Sequence, residues 1–364
     1  MSLTLTHRKN QVEGSPATRV MLVDDSIVVR SITERIIETA GGFDIVASLP
    51  TATEALAWLD KGRVDVIILD IEMPGMSGLD ALPQLLRKAD GARVIILSAN
   101  CDEGGPAAVE ALALGAADTL LKPGRGTFAG RFGETLVARV RALAASERQP
   151  RPLPVSIAPT ARAEVPELGA RAIAAIGIGA STGGIVAINA FLLALPKRID
   201  CPIFITQHLP AGFMTFFAEQ LARATGRTVV VAEDGMRVEP ARIYVAPGGA
   251  HLRLTMLSGK PHIMLDRSPS PVGACPAVDP MMASMAEVYG TSACAVMLSG
   301  MGRDGLEGVR DVRRNGGLVL AQDVGSSVVW GMPGAVAREG LAEAVLDPEQ
   351  LGKLIVRTIE SRSS

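Results

Sequence analysis

The chain has little of several features that mark large classes of protein. Aromatic residues make up only 3% of its 364 residues, the formal net charge is −2, and the four cysteines include no Cys-x-x-Cys pair. Scattered cysteines argue against a disulfide framework or a zinc site and favour free thiols in a reducing compartment. A net charge near zero gives no long-range attraction to nucleic acid or to anionic lipid.

Long apolar runs are missing as well. No uninterrupted apolar stretch approaches the roughly 20 residues that a membrane helix needs, and the polar first 15 residues contain no signal-peptide core. We therefore expect a cytoplasmic protein without membrane insertion. A hydrophobic content of 48% with 20% charged residues is typical of a soluble α/β protein.

A proline-rich stretch divides the chain. Residues 146–171 contain five prolines and no sustained hydrophobic period, a composition that favours extended, solvated chain over a packed element. We predict a flexible tail at 1–17, a first domain at 18–145, a linker at 146–170 and a second domain at 171–361.

Short β-branched runs alternate with helical patterns in the first domain. This alternation predicts parallel βαβ units in a doubly wound sheet, whose ligand chemistry lies at the carboxyl ends of the strands. The predicted strands cover residues 19–25, 43–49, 64–70, 92–99 and 118–122.

Polar side chains end four of these strands: Asp24-Asp25, Asp70, Ser98 and Lys122. Three carboxylates at close range repel one another, and a hard divalent cation relieves that repulsion. A carboxylate can also attack phosphorus and form an aspartyl phosphate. Lys122 would then neutralise the phosphoryl charge, and the Ser98 hydroxyl could bond the phosphate. Each residue alone would be an ordinary cap or turn residue, but the shared strand end favours a phosphorylation site.

Residues 18–145 resemble the response-regulator receiver family. The resemblance implies a flavodoxin-like fold in which Asp70 accepts the phosphoryl group. It also implies an Mg²⁺ ion held by Asp25, Asp70 and the Glu72 backbone carbonyl, with Asp24 in support. The stretches that carry it are LVDDS at 22–26, LDIEMPGMSG at 69–78, LSA at 97–99 and KP at 122–123.

Two positions depart from the receiver pattern. Thr119 stands where the family commonly has an aromatic switch residue, and Ser77-Gly78 stands where Asp-Gly is common. The threonine calls into question the usual switching by rotation of a ring, and it leaves the phosphorylation chemistry untouched.

A candidate nucleophile follows the first apolar run of the second domain. Gly179-x-Ser181-x-Gly183 lies between a predicted strand at 172–179 and a predicted helix at 185–195. This is the nucleophile-elbow pattern, in which a sharp turn exposes the serine oxygen near the amides of a helix N-terminus.

Gly177-x-Gly179 also fits the opening of a dinucleotide-binding fingerprint. That motif needs a third glycine, where this chain has Thr182, and an acidic residue after the next strand, where it has Gln207-His208. We therefore reject nicotinamide binding.

A base and an orienting carboxylate are available for Ser181. His208 follows the next predicted strand, at 201–207, and Asp304 follows an apolar strand in a glycine-rich loop. Both would lie at the sheet edge that carries Ser181. His251 is a weaker alternative base, and spacing alone does not exclude two alternative carboxylates, Asp279 and Asp323. The chain order Ser, His, Asp differs from that of α/β-hydrolases, so the elbow does not indicate that fold.

Residues 172–361 resemble the catalytic domain of the chemotaxis protein-glutamate methylesterases, the CheB family. The resemblance implies a Rossmann-like α/β domain with an antiparallel hairpin. It makes Ser181 the nucleophile, His208 the base and Asp304 its orienter, with the Met301 and Thr182 amides as the oxyanion hole. The stretches that carry it are IGIGASTGG at 176–184, ITQHLP at 205–210, YVAPGG at 244–249, LSGMGRDG at 298–305, AQD at 321–323 and SSVVWGMP at 326–333.

The implied function is hydrolysis of glutamate methyl esters, and deamidation of glutamines, on methyl-accepting chemotaxis receptors. A chemotaxis histidine kinase would be the phosphodonor, and the receiver would cover the cleft until phosphorylated. Cys275 and Ala277 replace an arginine and a serine that the family often has, which bears on substrate preference. A binding module without turnover is the alternative. A transcription regulator is disfavoured, because the chain shows no basic recognition helix.

Overall fold

The computed structural model describes residues 17–99, 101–122, 129–146, 168, 171–197 and 199–360. The predicted tail and linker fall almost entirely outside these residues, as does Pro123, and the predicted domain boundaries stay predictions. Within the described helices, none is long and apolar enough to cross a membrane.

The first domain is a five-stranded parallel sheet in the order β2-β1-β3-β4-β5. This order confirms the predicted flavodoxin-like fold. β2 lies on one side of β1 and β3 on the other, so the strand order reverses between β1 and β3. The elements are β1 (Thr18–Val23), α1 (Ile27–Ala40), β2 (Phe43–Leu49), α2 (Ala52–Trp58), β3 (Val66–Asp70), α3 (Gly78–Lys88), β4 (Arg93–Ser98), α4 (Cys101–Leu114), β5 (Asp118–Leu121) and α5 (Ala129–Ala145).

The loops at the carboxyl edge of this sheet are tightly packed. β1 ends at Val23, so Asp24 and Asp25 follow the strand rather than end it as predicted. Ser77 caps α3 by accepting the Asp80 N–H at 3.1 Å. A Cβ on the next residue, Gly78, would collide with the backbone carbonyl of Asp70. Close approach of α3 to Asp70 therefore requires glycine at this position.

The second domain is a seven-stranded parallel sheet, in the order β14-β13-β12-β6-β7-β9-β8, with a separate antiparallel hairpin, β10-β11. Both features confirm the predicted fold. The elements are β6 (Ala175–Ala180), α6 (Gly184–Ala194), β7 (Ile203–Gln207), α7 (Met214–Thr225), β8 (Val229–Val231), β9 (Ile243–Val245), β10 (His251–Leu257), β11 (Lys260–Asp266), α8 (Val278–Tyr289), β12 (Ala293–Met297), α9 (Leu306–Arg314), β13 (Leu318–Gln322), α10 (Met332–Arg338), β14 (Ala344–Leu346) and α11 (Pro348–Glu360).

The glycines of β6 make room for a helix. A Cβ at Gly177 would lie 2.8 Å from the Met285 Cε atom, and one at Gly179 would lie 2.5 Å from the Val278 Cγ1 atom. Met285 and Val278 belong to α8, which packs directly on this strand. The Gly-x-Gly pair therefore allows close helix–sheet packing. This packing accounts for the two glycines without a dinucleotide.

The two domains pack against each other through α4, β5 and α5 of the first. The Gly183 N–H donates to the Ala117 carbonyl oxygen at 2.8 Å, which joins the β6–α6 turn to the edge of the first sheet. Val329 belongs to the hydrophobic cluster that contains Leu136 and Val140 of α5, and Met301 packs against the same cluster. The first domain therefore contacts the very turn that carries Ser181.

Candidate active site and phosphorylation site

The predicted acidic cluster forms at the carboxyl edge of the first sheet. Oxygens of Asp24, Asp25 and Asp70 all lie within 4.8 Å of one another. The Lys122 Nζ atom lies 2.6 Å from Asp70 Oδ2 and 3.0 Å from Asp24 Oδ2. Asp24 and Asp70 are buried, whereas Asp25 is exposed. β1 and β3 are neighbouring parallel strands that both end at this edge, which brings these residues together.

The electrostatics of the cluster suit a divalent cation. Burial raises the pKa of Asp70 to about 6, and Asp24 adds to the rise, although the ammonium of Lys122 opposes it. Among the described residues, Lys122 is the only partner of the buried Oδ2 atoms of Asp24 and Asp70. Crowded carboxylate oxygens with unused acceptor capacity are the donor set that Mg²⁺ prefers. These residues therefore fit the predicted ion.

The other residues predicted for this site lie around it. The Glu72 N–H donates to Asp70 Oδ1 at 3.1 Å, so its backbone adjoins the cluster. Ser98 ends β4 and is buried. Thr119 lies within β5 at 1% exposure, and its hydroxyl has no partner among the described residues. Because threonine has no ring, any conformational switch of this receiver cannot use rotation of an aromatic side chain at position 119.

Ser181 occupies a sharp turn between β6 and α6. Its N–H donates to the Ser299 carbonyl at 2.9 Å. Gly183, the N-cap of α6, has a φ of 76°, and a Cβ there would collide with Val328. The left-handed conformation and the close neighbour together require glycine. The turn is an elbow of the predicted kind, and Ser181 is partly exposed at its tip.

His208 and Asp304 form a hydrogen-bonded pair beside this turn. His208 Nε2 lies 2.8 Å from Asp304 Oδ2, and the histidine side chain is 20% exposed while that of Asp304 is 4% exposed. The remaining nitrogen, Nδ1, is then the one that could take a proton from Ser181. Ser181 and His208 line the same cleft, but no hydrogen bond joins Ser181 Oγ to His208 in the described part of the chain.

Asp304 is held as a charged acceptor. Burial by itself would raise its pKa, but the hydrogen bond and charge of His208 and the amides of Val278 and Asp279 lower the pKa below its ordinary value. The two amides donate at 2.7 Å and 3.2 Å. An ionised carboxylate in this position can orient the imidazole and stabilise its charged form.

The alternative triad residues lie elsewhere. His251 accepts the Ala277 N–H at Nδ1 and bonds the Ser268 carbonyl through Nε2, so both ring nitrogens are engaged. Asp323 accepts from Ser326 in a turn after β13. Asp279 lies behind Asp304 and accepts the Gly308 N–H. Of the candidate carboxylates, Asp304 is the one that bonds His208.

A cleft of about 430 Å³ opens above the triad residues. Met301 lines it, and Thr182 follows the serine, two residues before α6 begins. Within the described residues, neither the Thr182 nor the Met301 N–H has a hydrogen-bond acceptor, as expected of amides reserved for an oxyanion. Of the two positions that depart from the family, Cys275 lines the cleft, whereas Ala277 is fully buried.

Several residues that shape the site were not predicted from the sequence. Gln207 Nε2 donates to the Ser181 carbonyl at 2.8 Å and ties the nucleophile to the strand that carries His208. Ser299 Oγ donates to the Thr182 carbonyl at 2.7 Å. Gln207 and Ser299 are polar residues at or just beyond strand ends, the same signal that indicated His208 and Asp304.

Two further residues come from the first domain. Asp118 accepts a hydrogen bond from the Thr182 hydroxyl and is paired with Arg139 of α5, which also lines the cleft. Asp118 is 5% exposed, so this is a buried polar contact across the domain boundary. No pattern in the sequence connects residues 64 positions apart in different domains.

Comparisons with known proteins give matches along both domains. Residues 20–127 match the family model of the response regulator receiver domain, and residues 176–355 match that of CheB methylesterase. Among solved structures, the chain is similar to the CheB methylesterase catalytic domain of Thermotoga maritima. The identity is 38% over 53% of this chain and 99% of that one, with a TM-score of 0.49.

Similar curated proteins cover nearly the whole length. A protein-glutamate methylesterase/protein-glutamine glutaminase of Rhodopseudomonas palustris is 40% identical over 94% of this chain and 97% of its own. Another, from Caulobacter vibrioides, is 41% identical over 94% of this chain and 99% of its own. With a receiver domain preceding its catalytic domain, the chain belongs to the CheB family of protein-glutamate methylesterases/protein-glutamine glutaminases.

Proposed function

We propose that the chain is a phosphorylation-regulated hydrolase that removes methyl groups from glutamate γ-methyl esters of chemoreceptors by a Ser-His-Asp mechanism. The observation that carries the proposal is the His208–Asp304 pair at 2.8 Å beside the Ser181 elbow. These residues follow three strands of one sheet, and the cleft above them is open enough for an extended side chain.

In the acylation step, Ser181 Oγ attacks the ester carbonyl carbon while its proton passes to His208 Nδ1. The negative charge that develops on the carbonyl oxygen is stabilised by the Thr182 and Met301 N–H groups. Asp304 stabilises the imidazolium through Nε2. Collapse of the tetrahedral intermediate breaks the bond to the methoxy oxygen, which takes the proton from His208 and leaves as methanol.

In the deacylation step, water attacks the acyl-enzyme and gives a proton to His208. The bond to Ser181 Oγ then breaks, the serine recovers its proton, and a glutamate carboxylate leaves. A glutamine side chain passes through the same type of oxyanion with ammonia as the leaving group. Deamidation therefore needs no additional residue.

Phosphorylation is assigned to Asp70, with a chemotaxis histidine kinase as the donor. The carboxylate attacks phosphorus, and the bond from phosphorus to the histidine nitrogen of the kinase breaks, with that imidazole as the leaving group. Lys122 neutralises charge on the transferred group, and the Ser98 hydroxyl bonds one of its oxygens. Asp24, Asp25, Asp70 and the Glu72 carbonyl would hold Mg²⁺, which supplies neutralisation of the phosphoryl oxygens when bound.

Regulation would operate through the contact between domains. Asp118 bonds the Thr182 hydroxyl and Ala117 bonds the Gly183 N–H, so the receiver holds the turn that carries the nucleophile. Lys122 lies one residue beyond the end of the same strand, in contact with Asp70. Movement of Lys122 toward a phosphoryl group would displace β5 without requiring an aromatic ring at Thr119.

The direct test is methanol release from methylated receptor membranes, with and without a small acyl phosphate. We expect slow release that the acyl phosphate accelerates, and none from Ser181→Ala. Turnover by Ser181→Ala would contradict the mechanism. No release by wild type, despite phosphorylation of Asp70, would indicate a binding module instead.

A further inference from the structure

Asp304 is held by the N-terminus of a helix. Both of its oxygens accept amides from the first turn of α8, that of Val278 at 2.7 Å and that of Asp279 at 3.2 Å. The N-terminal end of a helix carries partial positive charge, so this contact favours the ionised carboxylate. The position of α8 therefore decides where Asp304 meets His208.

The side chain of Asp279 extends to a different helix. Its Oδ1 accepts the Gly308 N–H at 2.8 Å. Gly308 is the third residue of α9, where an amide has no partner within the helix. The N-cap of α9 is Gly305, which makes no side-chain cap hydrogen bond. Asp279 thus supplies the missing cap from the neighbouring helix.

α8 and α9 are in close contact where Asp279 meets Gly308. A Cβ at Gly308 would lie 2.6 Å from the Asp279 carbonyl oxygen. Asp304 lies two residues before α9, so the cap joins the helix that holds Asp304 to the segment that carries it. Without the cap, the start of α9 could move relative to α8, and the Asp304 carboxylate would turn away from His208.

We propose that Asp279 is a positioning residue for the esterase reaction, which caps α9 from α8 and so holds Asp304 against His208. This inference rests on the proposed function, because it assumes that the His208–Asp304 pair assists Ser181. It gives Asp279, one of the two alternative carboxylates that the sequence left open, a role of its own. Asp304 contacts His208, and Asp279 keeps Asp304 in that position.

Asp279 also carries charge in a pH-dependent way. Burial raises its pKa to about 6; Asp304 and Glu307 add to the rise, and the Gly308 N–H opposes it. The titratable and charged groups that face it are Asp304, with its partner His208, and Glu307. Above about pH 6 a second negative charge therefore lies behind the triad, where it favours the imidazolium.

The test compares three variants in the phosphorylated full-length chain. Asp279→Ala removes the cap. Asp279→Asn keeps an oxygen acceptor but loses the charge. Asp347→Ala removes a matched carboxylate that accepts the Gln350 N–H at the start of α11. The measurements are kcat and KM for methanol release, the rate of Ser181 labelling by a fluorophosphonate, its pH profile, and the melting temperature.

We expect Asp279→Ala to lower kcat and the labelling rate about 10- to 100-fold with little change in KM, because misplacing a catalytic group by about 1 Å can cost that much. Asp279→Asn should recover most of the rate. The acid limb of its profile should move to lower pH, because the amide removes the negative charge that Asp279 carries behind the triad above about pH 6. Asp347→Ala should lower the melting temperature and leave the labelling rate unchanged.

A labelling rate for Asp279→Ala within twofold of wild type would overturn the inference, as would an equal loss in Asp347→Ala. If Asp279→Ala does not fold, the profile of Asp279→Asn decides, and an unmoved acid limb counts against the role. Labelling does not depend on the natural substrate. Wild type that is labelled but releases no methanol would therefore refute the glutamyl-ester substrate, while slower labelling of Asp279→Ala would still support the positioning role.

Discussion

Replacing Asp118 by alanine should activate the unphosphorylated enzyme. The buried Asp118 carboxylate accepts the Thr182 hydroxyl across the domain boundary and is paired with Arg139 inside the receiver. Alanine leaves the Thr182 hydroxyl without its acceptor while the domains are packed together. In an open form the same hydroxyl can bond water. The substitution therefore destabilises the closed form selectively, since the Arg139 pair belongs to the receiver in both forms.

The expected size of the effect follows from this one contact. A hydrogen bond to a charged group contributes about 1.5–3 kcal/mol to stability, and each 1.4 kcal/mol changes an equilibrium constant by about a factor of ten. Loss of the Thr182 bond should raise the open-to-closed ratio by about 10- to 150-fold. The basal rate rises by that factor until the open form predominates, so the rate of phosphorylated wild type is its ceiling.

The assay is methanol release from methylated receptor membranes without a phosphodonor. Asp65→Ala is the matched control, because Asp65 also holds an arginine of the receiver, Arg19, at 2.8 Å, but lies just before β3, the central strand of the sheet. Asp65→Ala should not raise the basal rate. A basal rate of Asp118→Ala within twofold of wild type, with a receiver that still melts cooperatively, would refute the idea that this contact holds the domains closed.

Two other predictions concern the two chemical sites. Asp304→Asn should lower kcat about 10³- to 10⁴-fold with little change in KM, because the amide keeps the shape but cannot stabilise the imidazolium. Steady-state methanol release measures both constants. A loss in kcat below tenfold would argue that Asp304 does not orient His208. Mg²⁺ affinity, measured by calorimetry, should fall about tenfold per pH unit below about pH 6, because a proton competes with the cation for Asp70, whose pKa burial raises to about 6. A pH-independent affinity between pH 5 and 7 would place the ion elsewhere.

Local sequence patterns were sufficient for the positions of the main elements and for the residues that end the strands. β-branched runs indicated the strands, and the rule that parallel strands share an edge brought Asp24, Asp70 and Lys122 together before the structure was considered. The same rule grouped Ser181, His208 and Asp304. Small errors occurred at element ends, as in the first strand, which was predicted to reach residue 25 and ends at Val23.

The choice between rival residues needed the tertiary structure. Spacing left Asp279 open as the orienter, yet it bonds Gly308 while Asp304 bonds His208. The sequence alone excluded a cofactor motif at Gly177-x-Gly179, but only the structure shows that the two glycines make room for α8.

The sequence by itself determined the fold class, the family and the residues that meet at two sheet edges, because strand periodicity and strand-end residues are local properties of the chain. Only the tertiary structure decided which carboxylate faces His208 and how the receiver reaches Ser181. The Asp118–Thr182 contact joins residues that have no pattern in common and meet only when two separate domains pack. Such contacts depend on how whole helices and strands of the two domains are placed relative to one another, and no short stretch of sequence encodes that placement.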